Sequence, residues 1–359
     1  MSDVLVIGGG VIGLSIAYEL SQHNLSVIVL EQGQFGQEAS WAGAGMLPPG
    51  NSAWAATPEA RLRSASYDRW PSWVQSLHEA TGISTGFVRC GGIMVARHDQ
   101  DHEFSQDLSR WNAERLVVES LSPQELRQRF PFLGETMTRG CYLPDVAQVR
   151  NPWLIQSLYA ACAQRGVTLL AGHAVTTFES DGHRIHSVRT PAGDFSAGQF
   201  VIAGGAWSGG MTRQLGIDLH VEPVRGQIVL LESRPLPCSH VIENGTRYIV
   251  PRPDGRILIG STEEHVGFDK RTTAGGVTGL LALAQELVPC LAQARVERTW
   301  AGLRPYRPGG LPYLGRGPGY DNLFIAAGHY RAGLQLSPIT AQLIRELVLG
   351  QPASLPLEN

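Results

Sequence analysis

Three glycines near the N-terminus have the spacing of a turn that binds dinucleotides. Gly8-x-Gly10-x-x-Gly13 follows a short apolar run and precedes an apolar segment with helical periodicity. Gly8 permits a tight turn, Gly10 lets a pyrophosphate approach the backbone, and Gly13 allows a helix to pack closely on a strand. Glu31 lies near the usual spacing, about 20 residues, at which a carboxylate accepts hydrogen bonds from a ribose diol. A dinucleotide without a 2′-phosphate is therefore expected.

The elements around this turn predict a βαβ unit. Residues 4–7 are apolar and form a short buried strand, and the segment after Gly10 places Val11, Ile12 and Tyr18 at helical spacing. A second apolar run at residues 26–30 ends in Glu31. The start of the helix adds free N–H groups and the positive end of its dipole to the predicted binding site.

Later glycines favour FAD over NAD as that dinucleotide. Strand-like runs end in Ala203-Gly204-Gly205 and in Ala327-Gly328, and residues 38–50 are small, glycine-rich and closed by two prolines. That loop excludes a long helix or a central strand and lets backbone approach a ligand closely. A flavin buried across the domain needs such late approaches, although ordinary strand-ending turns would give the same pattern.

The composition excludes several classes of function. A chain of 359 residues with 43% hydrophobic content and a net charge of −3 is globular and has no basic face for nucleic acid. Lys270 is the only lysine, which argues against Schiff-base enzymes, and the eleven histidines form no metal-binding motif. Five cysteines without a C-x-x-C pair and no apolar run of about 20 residues predict a cytoplasmic protein without an integral membrane segment.

The order of the elements predicts an α/β fold with two interleaved domains. A Rossmann-like FAD-binding domain is expected from residues 1–48, 148–221 and 302–359, and a mostly antiparallel β-sheet substrate domain from residues 49–147 and 222–301. Residues 222–262 carry strand signals throughout, and a turn is expected at Pro253-Asp254-Gly255.

Five motifs spread over the whole chain resemble the D-amino-acid oxidase superfamily, and most of all glycine oxidases of the thiazole-synthesis type. They are VLVIGGGVIGLSIAYEL, ASWAGAGML, YIVPRPDGRILIGST, WAGLRPYRPGGLPYLG and FIAAGHYRAGLQLSP. The resemblance implies that an amine acid is oxidised to an imine by hydride transfer to flavin N5. Water then hydrolyses the imine and O₂ reoxidises the flavin to give H₂O₂. Glycine, sarcosine or small D-amino acids are the implied substrates, and thiamine biosynthesis is the implied pathway.

The resemblance also assigns roles to particular residues. Arg304 matches the arginine that grips the substrate carboxylate, Tyr248 the tyrosine whose hydroxyl reaches it, and Arg331 a residue beside the flavin ring. Thr262 stands where relatives carry a methionine in the pocket wall, with Met46 nearby. The implied flavin-binding residues are Gly8, Gly10, Val11, Ile12, Gly13, Glu31, Ser40, Ala42, Gly43, Gly45, Met46, Leu47, Val175, Gly204, Gly328, His329, Arg331, Gly333 and Leu334.

Several alternatives stay open at this point. Relatives that bind flavin covalently use a cysteine in the C-terminal third, where this chain has only Cys290, before the TWAGLRP motif. Non-covalent FAD is therefore expected. A dehydrogenase that passes electrons to a quinone, a non-catalytic flavin-binding protein and a nicotinamide-dependent dehydrogenase are competing readings. The preferred amine acid, its enantiomer and a homo-oligomeric state are also open.

Overall fold

The computed structural model describes residues 2–357 of the chain. Nine α-helices lie in this range: α1 Val11–Ser21, α2 Ala39–Ala42, α3 Pro58–Thr81, α4 Asp101–Ala113, α5 Pro123–Arg129, α6 Asn151–Gln164, α7 Ser208–Arg213, α8 Ala274–Leu287 and α9 Ser337–Val348. Short 3₁₀ turns include Gly205–Trp207 and Tyr330–Ala332. None of these described helices is long and apolar enough to cross a membrane.

Nineteen strands occupy the same range. They are β1 Ser2–Ile7, β2 Val27–Leu30, β3 Met46–Leu47, β4 Val88–Arg89, β5 Gly92–Ala96, β6 Glu119–Leu121, β7 Arg139–Leu143, β8 Ala147–Gln148, β9 Thr168–Leu170, β10 Thr177–Ser180, β11 Ile185–Thr190, β12 Gly193–Ile202, β13 Glu222–Glu232, β14 Val241–Asn244, β15 Arg247–Pro251, β16 Arg256–Gly260, β17 Arg295–Tyr306, β18 Tyr313–Arg316 and β19 Leu323–Ala327.

The predicted βαβ unit forms the centre of the first sheet. β1 pairs in parallel with β2 and β12, and the parallel set continues to β9 on one side and β19 on the other. β18 adds an antiparallel edge, and the β10–β11 hairpin pairs with the start of β12. Helix α1 is buried on nearly every side because it lies between this sheet, α6 and α9. This arrangement is a doubly wound, Rossmann-like sheet.

The second sheet has eight strands in the order β17-β13-β16-β15-β14-β5-β7-β6. Every neighbouring pair is antiparallel except β14 with β5. Its side chains alternate between two cores, since Val229 packs with α8 on one face and Ile228 packs on the other face with Tyr248. The predicted α/β architecture with a mostly antiparallel second sheet is confirmed.

Strand β17 was not predicted from the sequence, because its local strand signals are weak. The run contains Gly302 and Pro305, which weaken a strand signal. Pairing with β13 along nearly the whole length of the strand overrides that local preference. The domain boundary expected at residue 302 falls inside this strand, so the division of the chain into domains stays a prediction.

Candidate active site

A cavity of about 390 Å³ lies where the two sheets meet. The first sheet contributes the turn after β1 and the ends of β12 and β19, and the second contributes residues of β13, β14, β15 and β17. The glycine-rich segment at residues 38–46, which includes α2 and the start of β3, forms a third wall. The cavity therefore joins the predicted dinucleotide site to the predicted substrate site.

The glycine turn is shaped by contacts that a side chain would prevent. Gly8 has φ +116, and a Cβ there would come within 2.3 Å of the Ala203 carbonyl oxygen. A Cβ on Gly13 would lie 1.8 Å from the Gly8 carbonyl oxygen. The first turn thus closes onto β1 and β12 and leaves the amide ends of α1 facing the cavity.

The side chains of Glu31 and Ser40 accept hydrogen bonds from backbone amides around this turn. The Glu31 carboxylate accepts hydrogen bonds from the amides of Gly9 and Gly33, each at 2.8 Å. The Ser40 hydroxyl oxygen accepts from the amide of Val11, also at 2.8 Å. Both side chains line the cavity. The carboxylate is therefore held in a fixed orientation at the position expected for a ribose.

Asn151 is a site residue that the sequence analysis missed. Its side-chain amide donates to the Ser40 carbonyl at 2.9 Å, while its buried Oδ1 atom has no partner within the described chain. A Cβ on Gly45, which has φ +72, would lie 2.4 Å from that oxygen. The glycine cradle and the unused acceptor fit a bound FAD. The only sequence signal was that Asn151 begins the helix after a predicted strand.

Most of the expected flavin-binding residues come together around this one cavity. Its lining includes Gly8, Gly10, Val11, Ile12, Glu31, Ser40, Ala42, Gly43, Gly45, Met46, Val175, Gly204, His329, Arg331, Gly333 and Leu334. Three others lie behind the wall, namely Gly13, Leu47 and Gly328. Leu47 is fully buried in the core, and Gly328 has φ +78 in the turn after β19. Their position suits them to shape the wall and not to touch a ligand.

His329 is a neutral histidine beside the cavity. Complete burial lowers its pKa to about 3. Its Nε2 atom lies 3.0 Å from the hydroxyl of Thr340. This imidazole carries no charge at neutral pH, so it adds no cation to the site.

Arg304 is a half-buried cation that forms no ion pair within residues 2–357. Its guanidinium donates to the Thr262 carbonyl at 3.2 Å and to the Ser261 hydroxyl. No carboxylate within residues 2–357 lies at ion-pair distance from it, and burial lowers its pKa although arginine stays charged at neutral pH. Charges that are largely removed from water are normally paired. A ligand carboxylate would supply the missing partner.

Two glycines of the second sheet make room for the predicted substrate-binding side chains. A Cβ on Gly226 would lie 2.2 Å from Nη2 of Arg304, and a Cβ on Gly260 would lie 2.4 Å from the ring of Tyr248. Tyr248 and Gly260 are direct partners across β15 and β16. Because both side chains fold over a neighbouring glycine, they converge on the same part of the cavity. The sequence gives no local signal for these two glycines.

Thr262, expected in the pocket wall, does not line the cavity. Its hydroxyl accepts from the amide of Gln227 at 2.9 Å and donates to Glu264. The side chain is therefore turned away from the cavity, and the residue contributes its carbonyl oxygen to Arg304 instead. The Thr262 side chain therefore does not form part of the wall of this cavity.

Arg331 lies at the edge of the cavity and, unlike Arg304, already has a counter-ion. It forms an ion pair with Glu263 and donates to the Thr246 carbonyl at 3.2 Å. Tyr330 also donates to Glu263. The hydrogen bond from Tyr330, together with Arg331, keeps the pKa of Glu263 below its usual value. Of these two arginines, Arg304 is the one available for an anionic substrate.

Comparison with known proteins shows the family. A model of the FAD dependent oxidoreductase family matches residues 3–347. The chain is 39% identical to a glycine oxidase of Pseudomonas putida, over 97% of this chain and 94% of that protein. It is 38% identical to the glycine oxidase of Geobacillus kaustophilus, over 96% and 92%.

A solved structure agrees with these sequence relationships. The crystal structure of glycine oxidase from Geobacillus kaustophilus superposes with a TM-score of 0.94 at 35% identity, covering 99% of this chain and 96% of that one. The similarity therefore includes both sheets and the cavity between them. The chain belongs to the family of FAD-dependent oxidoreductases.

Proposed function

We propose that this protein oxidises glycine or a related small amine acid, such as sarcosine or a small D-amino acid. The observation that carries the proposal is the half-buried Arg304 guanidinium, which forms no ion pair within the described chain and faces the cavity that continues to the flavin site. The relatives named glycine oxidase support the substrate class.

The residues of the chain would bind and orient the substrate. The planar guanidinium of Arg304 can form two parallel hydrogen bonds to a carboxylate, and Tyr248 lies on the same wall of the cavity. Within residues 2–357 the Tyr248 hydroxyl makes no hydrogen bond of its own, so it can donate one to the same carboxylate. The bound FAD would supply the acceptor for the hydride that leaves the substrate α-carbon. Fixing the carboxylate would set the direction in which the α-carbon points.

The roles of the remaining residues belong to the same proposal. The glycine turn and Glu31 would hold the ADP half of FAD, while Val175 and Ala203 lie on the wall nearby. We also propose that FAD is held non-covalently, since Cys290 is exposed and does not line the cavity. The two-domain division, a cytoplasmic location and a homo-oligomer are further proposals. The five cysteines, all free thiols in the structure, fit the location.

A panel of amines tests this function. We expect purified, FAD-loaded enzyme to release H₂O₂ with glycine and sarcosine and to consume O₂ in equal amount. Decarboxylated amines of similar size should be poor substrates because they leave Arg304 unpaired. Turnover with a dye acceptor but not with O₂ would instead support the dehydrogenase reading, and no turnover with any amine acid would contradict the proposal.

A further inference from the structure

The carboxylate of Glu263 lies beside the substrate half of the cavity. Arg304 donates to the Thr262 carbonyl at 3.2 Å, and Glu263 is the next residue in the chain. The Glu263 carboxylate forms an ion pair with Arg331 and accepts a hydrogen bond from the Tyr330 hydroxyl. Arg304, Tyr330 and Arg331 line the cavity, whereas Glu263 does not. Glu263 therefore neutralises a residue of the wall without belonging to the wall.

Other contacts hold the Tyr330–Arg331 turn at the edge of the cavity. Tyr330 has φ +49, a left-handed conformation that is uncommon for a tyrosine. Its ring packs edge-on against Tyr306, with the ring centroids 5.0 Å apart. Arg331 donates to the Thr246 carbonyl at 3.2 Å, in the turn between β14 and β15. Because these contacts do not involve Glu263, removing its charge should leave Arg331 in place.

The charges of Arg304, Arg331 and Glu263 sum to one net positive charge. The hydrogen bond from Tyr330, together with Arg331, lowers the pKa of Glu263, so this carboxylate is ionised at neutral pH. Arg331 is close enough to Arg304 for its charge to add to the larger effect of burial in lowering the pKa of Arg304. One ligand carboxylate would pair with Arg304. A second carboxylate would meet an arginine that is already neutralised and a carboxylate of like charge.

We infer that Glu263 is a specificity-determining residue, which excludes amine acids that carry a second carboxylate by neutralising Arg331. The inference rests on the proposed function, because Arg304 must hold the first carboxylate of the same ligand. In the excluded class, the methyl group of sarcosine would carry the second carboxylate. Specificity of this kind comes from repulsion and from an occupied partner, and not from a new attractive contact.

Two unreactive ligands test this without turnover. Butyrate has the shape of sarcosine with a methylene group in place of the amine, and glutarate carries a second carboxylate at the far end. Binding of each to the FAD-loaded enzyme is measured by calorimetry at constant ionic strength. In Glu263→Gln, affinity for glutarate relative to butyrate should rise about fivefold, as expected for one partly exposed ion pair with Arg331. Glutamine can still accept the hydrogen bond from Tyr330.

Two variants of Arg331 separate its charge from a structural effect. Arg331→Gln alone leaves the Glu263 carboxylate without its cation, so affinity for glutarate relative to butyrate should fall below that of the wild type. This result tests the inference even if Glu263→Gln fails to fold. The double variant Glu263→Gln/Arg331→Gln should lose the gain that Glu263→Gln produces.

Glu179→Gln is the matched control for the loss of one negative charge. Glu179 pairs with Arg189 at 3.0 Å on the β10–β11 hairpin, and neither residue lines the cavity. The variant should therefore leave the relative affinity for the two ligands unchanged. FAD content and Tm, measured for every variant, show that each has folded.

Two failures are distinguishable. If Arg304→Ala weakens butyrate binding, but Glu263→Gln gives no gain for glutarate or the gain persists without Arg331, the inference alone is overturned. If butyrate binding does not depend on Arg304, the proposed function fails and the inference fails with it.

Discussion

Replacing Arg304 by alanine is expected to lower kcat/KM for glycine by about 30-fold to several thousand-fold. Removing one member of a buried charge pair costs about 2–5 kcal/mol, and each 1.4 kcal/mol corresponds to about a factor of ten. The loss should appear mainly in KM if the carboxylate is held equally in the ground and transition states. Steady-state kinetics over a range of glycine concentrations measures both constants.

Variants on β17 and β13 serve as controls for this result. Arg304→Lys keeps the charge but not the planar fork and should fall between wild type and alanine. Arg298 is exposed on the same strand and does not line the cavity, so Arg298→Ala should leave kcat/KM unchanged. Gly226→Ala should impair glycine binding because its Cβ would meet the guanidinium. An unchanged KM in Arg304→Ala would reject this residue as the carboxylate clamp.

The second large effect is expected from Gly13→Ala. The added Cβ would lie 1.8 Å from the Gly8 carbonyl oxygen, so the helix must move away from the turn that cradles the dinucleotide. Overpacking of this kind costs about 1–3 kcal/mol. FAD affinity should fall by about tenfold or more, and Tm should fall as well. Flavin absorbance per protein and thermal unfolding with and without added FAD report the two effects.

Gly279→Ala is the matched control for this substitution. Gly279 lies inside α8, where a Cβ would meet nothing within 4 Å. Alanine there should keep the FAD content and raise stability by about 1 kcal/mol through helix propensity. Full FAD occupancy and an unchanged Tm in Gly13→Ala would show that close packing at this turn is not needed.

Local signals predicted the N-terminal half of the site well. The strand, glycine turn and helix around Gly8 and Gly13 form a unit within about 30 residues, so their spacing alone determines how they meet. The α/β fold and the FAD-dependent family are confirmed. The residues of the turn were predictable because the nearby backbone leaves no room for a Cβ at Gly8 or Gly13.

The substrate half depends on contacts between distant strands, and the sequence could not show them. Gly226 and Gly260 matter only because Arg304 and Tyr248 fold over them from neighbouring strands. The pairing of β14 with β15 brings Glu243 to the cavity wall, and a single acidic residue after a short apolar run gave no signal of that. Thr262 was placed in the wall by resemblance, yet its side chain points to Glu264.

The most direct test of the account is whether glycine reduces the flavin of this protein in the absence of oxygen. FAD-loaded enzyme is mixed anaerobically with glycine while the flavin absorbance is recorded, and acetate serves as the ligand without an amine. We predict that glycine bleaches the flavin, that acetate does not, and that admitting O₂ restores the colour. Flavin that stays oxidised with glycine, sarcosine and small D-amino acids would contradict the assignment of this cavity to amine-acid oxidation.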